Sequence, residues 1–76
     1  MDNERWLEGQ YFDLLVYPDT DYGNGLIAHW YDVYVKTAEG RQWAYGAGGD
    51  HTPEEWLRFN DTVENQRRHI ELFEIE

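Results

Sequence analysis

The sequence predicts an α+β domain: an antiparallel three- to four-stranded meander with one amphipathic helix packed on one face. Three observations carry this expectation. Between residues 10 and 45, aromatic and β-branched runs are divided by turn-forming residues at short intervals, the pattern of successive hairpins. From Thr52 onward the apolar spacing changes from two to three or four, the pattern of a helix lying on a surface. The chain has 76 residues and no cysteine, so residues 1–76 are expected to close a single domain by apolar packing alone, burying only about 60–65% of the unfolded surface. The 4 Trp, 6 Tyr and 3 Phe suit that demand, because aromatic side chains bury large areas at modest entropic cost.

Taken in order, "DNERWLEG" at residues 2–9 suits one or two turns of helix, with Asp2 or Asn3 as N-cap and Gly9 as the stop. "QYFDLLVY", residues 10–17, has the composition of a strand that Pro18 ends. "PDTDYGNG" then reads as a turn-rich loop with Asn24-Gly25 as its strongest turn signal. "LIAHWYDVYVKT", residues 26–37, is the clearest strand, and after the turn at Ala38-Glu39-Gly40 the segment "RQWAY", residues 41–45, returns as a third. Gly46, Gly48 and Gly49 read as a hinge, and Thr52-Pro53-Glu54-Glu55 as a capping box that starts the helix. The helix is expected from Pro53 to about Arg68. Its apolar stripe is Trp56, Phe59, Val63 and Ile70, with Leu57 beside it, and Glu54–Arg58 and Glu64–Arg68 are spaced as i, i+4 ion pairs. The tail "HIELFEIE" is expected as a fourth strand, from the β propensity of Ile70, Phe73 and Ile75.

Alternation along the strands sorts the two faces of the sheet. Phe12, Leu14 and Val16 with Ile27, His29, Tyr31, Val33 and Val35 form the expected core face. Tyr11, Asp13, Leu15 and Tyr17 with Trp30, Asp32 and Tyr34 point the other way. A single helix covers one face only, so Tyr11, Tyr17, Trp30 and Tyr34 are expected on an aromatic surface that binds a partner or a second copy of the chain. The competing expectation is that the N-terminal segment folds over this surface through Trp6 and Leu7.

The motifs restrict the chemistry. "GAGG" lacks the Lys-Ser/Thr of a phosphate-binding loop, and Asp50, Glu54 and Glu55 place negative charge where a phosphate would bind. Asp19 and Asp21 begin like a calcium loop, but position five is Gly23 and position twelve is Trp30 where a bidentate Glu is required. His29, His51 and His69 show no metal-ligand spacing, and neither serine nor cysteine is present to act as a nucleophile. His29 is expected as a hydrogen-bonded imidazole in the core. No catalytic residue, metal ligand or cofactor is assigned, and the chain is read as a binding protein rather than an enzyme.

Sixteen carboxylates against six Lys and Arg give a formal net charge of −10. That sign opposes direct binding to nucleic acid or anionic lipid and favours a basic protein partner. With no charged-then-apolar leader and no apolar run near 18 residues, no membrane association is expected, and the cytoplasm is the expected location. Rows of carboxylates along strands and helices also approach the charge density of a nucleic-acid backbone. Candidate rows are Glu54, Glu55, Asp61 and Glu64 on the helix and Glu71, Glu74 and Glu76 on the tail, with Asp19, Asp21, Asp32 and Glu39 around the hairpin ends.

In size, acidity and layout, with the carboxylate-bearing segment "TPEEWLRFNDTVENQRR" and the tail "ELFEIE", the chain resembles the small acidic anti-defence proteins of phages and plasmids, among them anti-CRISPR proteins and nucleic-acid mimics. The resemblance implies a stoichiometric inhibitor that occupies the basic nucleic-acid channel of a nuclease or CRISPR-type effector complex and blocks access to DNA. The alternative is an intracellular interaction module, such as a toxin-immunity protein or a dimeric accessory protein, that binds through the aromatic sheet face.

Overall fold

A computed structural model describes residues 3–75; Asp2, a candidate N-cap, and Glu76, a candidate tail carboxylate, lie outside the described residues. The fold is α+β. Four antiparallel strands, β1 (Arg5–Glu8), β2 (Phe12–Gly23), β3 (Leu26–Thr37) and β4 (Gly40–Gly49), pair in sequence order as a meander. Two helices follow, α1 (Pro53–Asn60) and α2 (Val63–Leu72), and pack on one face of the sheet.

The N-terminal segment is a strand and not the expected helix. Arg5 to Glu8 pair with Val16 to Asp13, which sends Leu7 toward the core beside Leu14 and Trp6 to the opposite face beside Leu15. Pairing with an existing edge satisfies backbone groups that a turn or two of isolated helix would leave to water, so the cap residues at its ends do not decide its state. Pro18 does not end β2. It lies past the Arg5↔Val16 pair, where β2 has no strand partner on that side among the described residues, and the register with β3 shifts between Tyr17↔Trp30 and Thr20↔Ala28. An edge position with a bulge tolerates a residue without an N–H. The expected loop at 18–25 therefore narrows to Asn24-Gly25, both at positive φ (56° and 77°), the two-residue turn whose twist matches its strands.

The glycine-rich stretch is likewise strand. β4 runs through Gly49, with Gly46 opposite Asp32 and Gly48 opposite Trp30, so the expected hinge at 46–49 is part of the ladder. A bulge at Ala44 adjusts the register between Val33↔Tyr45 and Tyr34↔Trp43.

The core consists of Phe12, Leu14, Val16, Tyr31, Val33, Val35 and Ala44, capped by Trp56, Leu57, Ile70 and Ile75. Ile27 and His29 have the right parity but lie past the reach of the helices: Ile27 is 48% exposed, and His29 pairs through Nδ1 with the Asp19 carboxylate at 3.0 Å.

The single expected helix is two helices, divided at Asp61-Thr62. α1 begins with the expected capping box, in which the Thr52 hydroxyl accepts from the Glu55 amide at 3.1 Å and the Glu55 carboxylate accepts from the Thr52 amide at 3.0 Å. α2 begins afresh with Thr62 accepting from the Asn65 amide. The break has a cause: the Asp61 carboxylate accepts the amides of Gln10 (2.7 Å), Tyr11 (2.7 Å) and Phe12 (3.2 Å), joining the helix layer to the β1–β2 connection. Phe59, placed on the expected stripe, is 69% exposed, because α1 meets the core through Trp56 and Leu57. Among the described residues the tail forms no strand; α2 runs to Leu72, Glu74 takes a positive φ, and the Ile75 amide closes on the Ile70 carbonyl at 2.9 Å, which returns Ile75 to the core. Glu54 bonds Arg5 at 3.2 Å instead of Arg58, and Glu64–Arg68 is not an ion pair.

Candidate functional site

Both helices occupy the Leu14/Val33 face, so among the described residues no helix covers the other face of the sheet. Strand register brings to it Trp6 from β1, Asp13, Leu15 and Tyr17 from β2, Trp30, Asp32, Tyr34 and Lys36 from β3, and Arg41 and Trp43 from β4. Among the aromatic residues expected there, Tyr17, Trp30 and Tyr34 are present. Tyr11 is not: it precedes β2 and packs against the core. Trp6 reaches this surface as the competing expectation for the N-terminal segment has it, though from a strand and not a helix, whereas Trp43 is placed there by a bulge that sequence does not disclose.

The face has two halves. In one, Asp13 is buried (1% exposed) although it stands on the helix-free side. The Arg41 Nε donates to it at 2.6 Å, Lys36 Nζ lies 3.5 Å away, and the Gly9 amide donates at 3.3 Å. The Arg41 guanidinium also sits 3.8 Å from the centre of the Trp6 ring, and Trp6 packs edge-on against Tyr34 at 5.0 Å. The N-terminal segment thus covers part of the aromatic surface, through Trp6 alone, since Leu7 faces the core. A carboxylate buried here is tolerable because two cations and an amide satisfy it.

The other half is open. Tyr17, Trp30 and Asp32, with Tyr31 and the stretch from Gly46 to Gly49, line an open cleft of about 570 Å³. The Tyr17 hydroxyl donates to Asp32 Oδ2, and this bond, followed by burial and the nearby negative charge, pushes the Tyr17 pKa up to about 12. The Trp30 indole N–H donates to Thr20 Oγ1 at 2.9 Å. Gly48 is required by close approach: a Cβ there would stand 2.7 Å from the His29 carbonyl oxygen and overlap the Trp30 ring. Trp30 is nonetheless 39% exposed and Trp43 56%.

The candidate acidic rows divide differently from their spacing in sequence. Asp19 is paired with His29, Asp21 accepts the Gly23 amide at 2.8 Å, Asp32 accepts Tyr17, Glu54 accepts Arg5, and Glu55 caps α1, whose Thr52 amide holds its carboxyl below the usual range. Asp61 joins helix to sheet. Glu39, Glu64, Glu71 and Glu74 are exposed and make no side-chain hydrogen bond or ion pair among the described residues. Among those residues, no three His, Cys, Asp or Glu gather as metal ligands, and no helix is long and apolar enough to cross a membrane.

On the helix side, His69 is an organising residue that the sequence reading did not assign. Its Nδ1–H donates to the Asn65 carbonyl at 2.8 Å, and its ring packs against Phe12, Tyr45, Trp56 and Phe73. This cluster fixes α2 on the sheet.

The architecture defines an α+β meander with one helix-covered and one open face. The chain matches no protein-family model, and no curated protein or solved structure is significantly similar to it.

Proposed function

We propose that the chain is a stoichiometric, non-catalytic binding protein that engages a basic protein partner through the open face of its sheet. The observation that carries this reading is the one-sidedness of the fold: Trp30 and Trp43 remain substantially exposed opposite the helix layer. Exposed Trp and Tyr on a rigid sheet have the composition of an interface centre, where few residues supply most of the binding energy. The net charge of −10 supports a partner of opposite sign, whose encounter it would accelerate. A nuclease or CRISPR-type effector has such a basic surface where it holds nucleic acid, and occupying that surface blocks access to DNA.

A second reading, binding by carboxylate rows that imitate a nucleic-acid backbone, is favoured by Glu64, Glu71 and Glu74, which are exposed along α2 and its end with no internal partner. Three baits separate the readings: the wild-type chain, Trp30→Ala/Trp43→Ala, and Glu64→Gln/Glu71→Gln/Glu74→Gln, each used to capture proteins from extracts of the native host. The open-face reading expects a basic protein retained by wild type, lost by the tryptophan variant and weakened modestly by the glutamine variant. Undiminished capture by a folded tryptophan variant refutes it. Sedimentation of the purified chain tests whether a second copy takes the same face.

A further inference from the structure

The two halves of the open face present the same three groups, and only one half contains a cation. In the first, Trp6 and Asp13 hold Arg41, whose Nε reaches Asp13 at 2.6 Å and whose guanidinium lies 3.8 Å from the Trp6 ring centre, and Tyr34 packs edge-on against Trp6. In the second, Trp30, Asp32 and Tyr17 stand on neighbouring positions of β2 and β3, with Tyr17 directly opposite Trp30 and Asp32 two residues along the same face. No Lys, Arg or His is paired with Asp32 among the described residues. Arg58, Arg67 and Arg68 are on the helices, across the sheet.

We propose that the cleft between Trp30, Asp32 and Tyr17 is a socket for an arginine side chain of the partner, held as the protein holds its own Arg41. The inference rests on the open-face reading and names its central contact. Three features shape the socket. Gly46 and Gly48 remove the side chains that would fill it; a Cβ on Gly46 would lie 3.3 Å from Asp32 Oδ1, which puts that oxygen at the cleft wall. Tyr17 donates to Oδ2 and so orients the carboxylate, leaving Oδ1 to accept from a guanidinium. The Trp30 indole is fixed by Thr20 and by the backbone of Gly48, and remains exposed for a cation to stack on. Arginine is the cation chosen because its planar fork serves a carboxylate and an aromatic face at once, whereas an ammonium is a compact, strongly hydrated charge.

The test is a titration of the isotope-labelled full chain with acetyl-Gly-Arg-Gly-amide, followed by amide and indole N–H resonances. Identical peptides carrying lysine or neutral citrulline serve as comparisons. Saturable shifts at the Trp30 indole N–H and the Gly46 and Gly48 amides are expected, at least tenfold weaker with lysine and absent with citrulline. Asp32→Asn, which keeps an acceptor for Tyr17, is expected to weaken the arginine peptide at least tenfold, and Gly46→Leu to abolish binding by filling the cleft at a position without positive φ. Equal response to lysine or citrulline, shifts spread over the acidic surface, or unaltered binding by Asp32→Asn overturns the socket. Failure of the socket is distinguishable from failure of the open-face reading: if the peptide does not bind while Trp30→Ala/Trp43→Ala still abolishes capture of the protein partner, only the socket is wrong.

Discussion

Replacing Asp61 with alanine is expected to lower stability by about 2–4 kcal/mol, although the residue looks like one more surface carboxylate in the sequence. Its two oxygens accept three backbone N–H groups, from Gln10, Tyr11 and Phe12, at 2.7, 2.7 and 3.2 Å. A hydrogen bond to a charged group contributes about 1.5–3 kcal/mol. The three share one carboxylate and do not add in full, and exposed Gln10 recovers water, which sets the estimate near that of one and a half such bonds. Phe12 is fully buried and Tyr11 half-buried, so their amides are poorly placed to find water instead. For 76 residues, total stability at about 0.05–0.15 kcal/mol per residue is about 4–11 kcal/mol. The loss is therefore a large fraction, and Tm should fall by about 8–32 °C at about 4–8 °C per kcal/mol. Urea unfolding followed by tryptophan fluorescence measures it, with the slope m unchanged. Asp61→Asn should fall between, because it keeps one acceptor but turns an NH2 group toward a backbone donor. An Asp61→Ala chain within about 0.5 kcal/mol of wild type, the range of an ordinary surface change, would refute the reasoning and return Asp61 to the set of carboxylates free for a partner.

Three further outcomes follow. Gly48→Ala should cost about 1–3 kcal/mol through overpacking against the His29 carbonyl and the Trp30 ring, and shift the tryptophan emission, both read in one urea titration. Thr52→Ala should cost about 1 kcal/mol by removing half of the capping box, measured by thermal unfolding, and Thr52→Ser should recover most of it. Because the folded-state pKa of Tyr17 is raised to about 12, the bond to Asp32 stabilises the fold fully below the ordinary tyrosine value of about 10 and is lost as pH rises through about 12. A phenolate absorbance titration should show a late step that Tyr17→Phe removes, and a step unchanged in that variant would contradict the assignment.

Where local chemistry alone sets the backbone, the sequence was informative. Asn24-Gly25 takes the positive φ angles its residue types favour, the Thr52–Glu55 box forms as spaced, and alternation identifies Leu14, Val33 and Val35 as core. Where tertiary pairing decides, local signals misled. Pro18 reads as a stop, yet it is accommodated because β1 ends before reaching it. Ile70, Phe73 and Ile75 read as a strand by propensity, but the segment stays helical through Leu72 because His69 and Ile70 pack on the core, although the outer edge of β4 is free. One available signal was missed: Asn60-Asp61-Thr62 is a run of cap-forming residues in the middle of the expected helix, and Thr62 does start a new one. The aromatic face was legible as a parity argument for Tyr17, Trp30 and Tyr34 and, for Trp6, through the competing expectation for the N-terminal segment, whereas Trp43 needed the observed register.

The carboxylates pose a different problem, because charge and contact separate. A carboxylate that accepts an amide or hydroxyl keeps its charge, so Asp21, Asp32 and Asp61 contribute to the long-range field although each already has an internal donor. Only ion pairs such as Asp13 with Arg41 and Lys36 cancel locally, and those cations are already counted in the net charge of −10. The attraction felt by a basic partner at a distance is therefore nearly the same whether it finally docks on the open face or along Glu64, Glu71 and Glu74. Association rates should fall with salt under either reading, since steering depends on the summed field. Dissociation depends on contacts that are desolvated at the interface, so it is the rate that discriminates. Faster dissociation on replacing Trp30 or Asp32, with association unchanged beyond the loss of one charge, is the kinetic signature of the open face; the same signature on replacing the α2 glutamates would belong to charge mimicry.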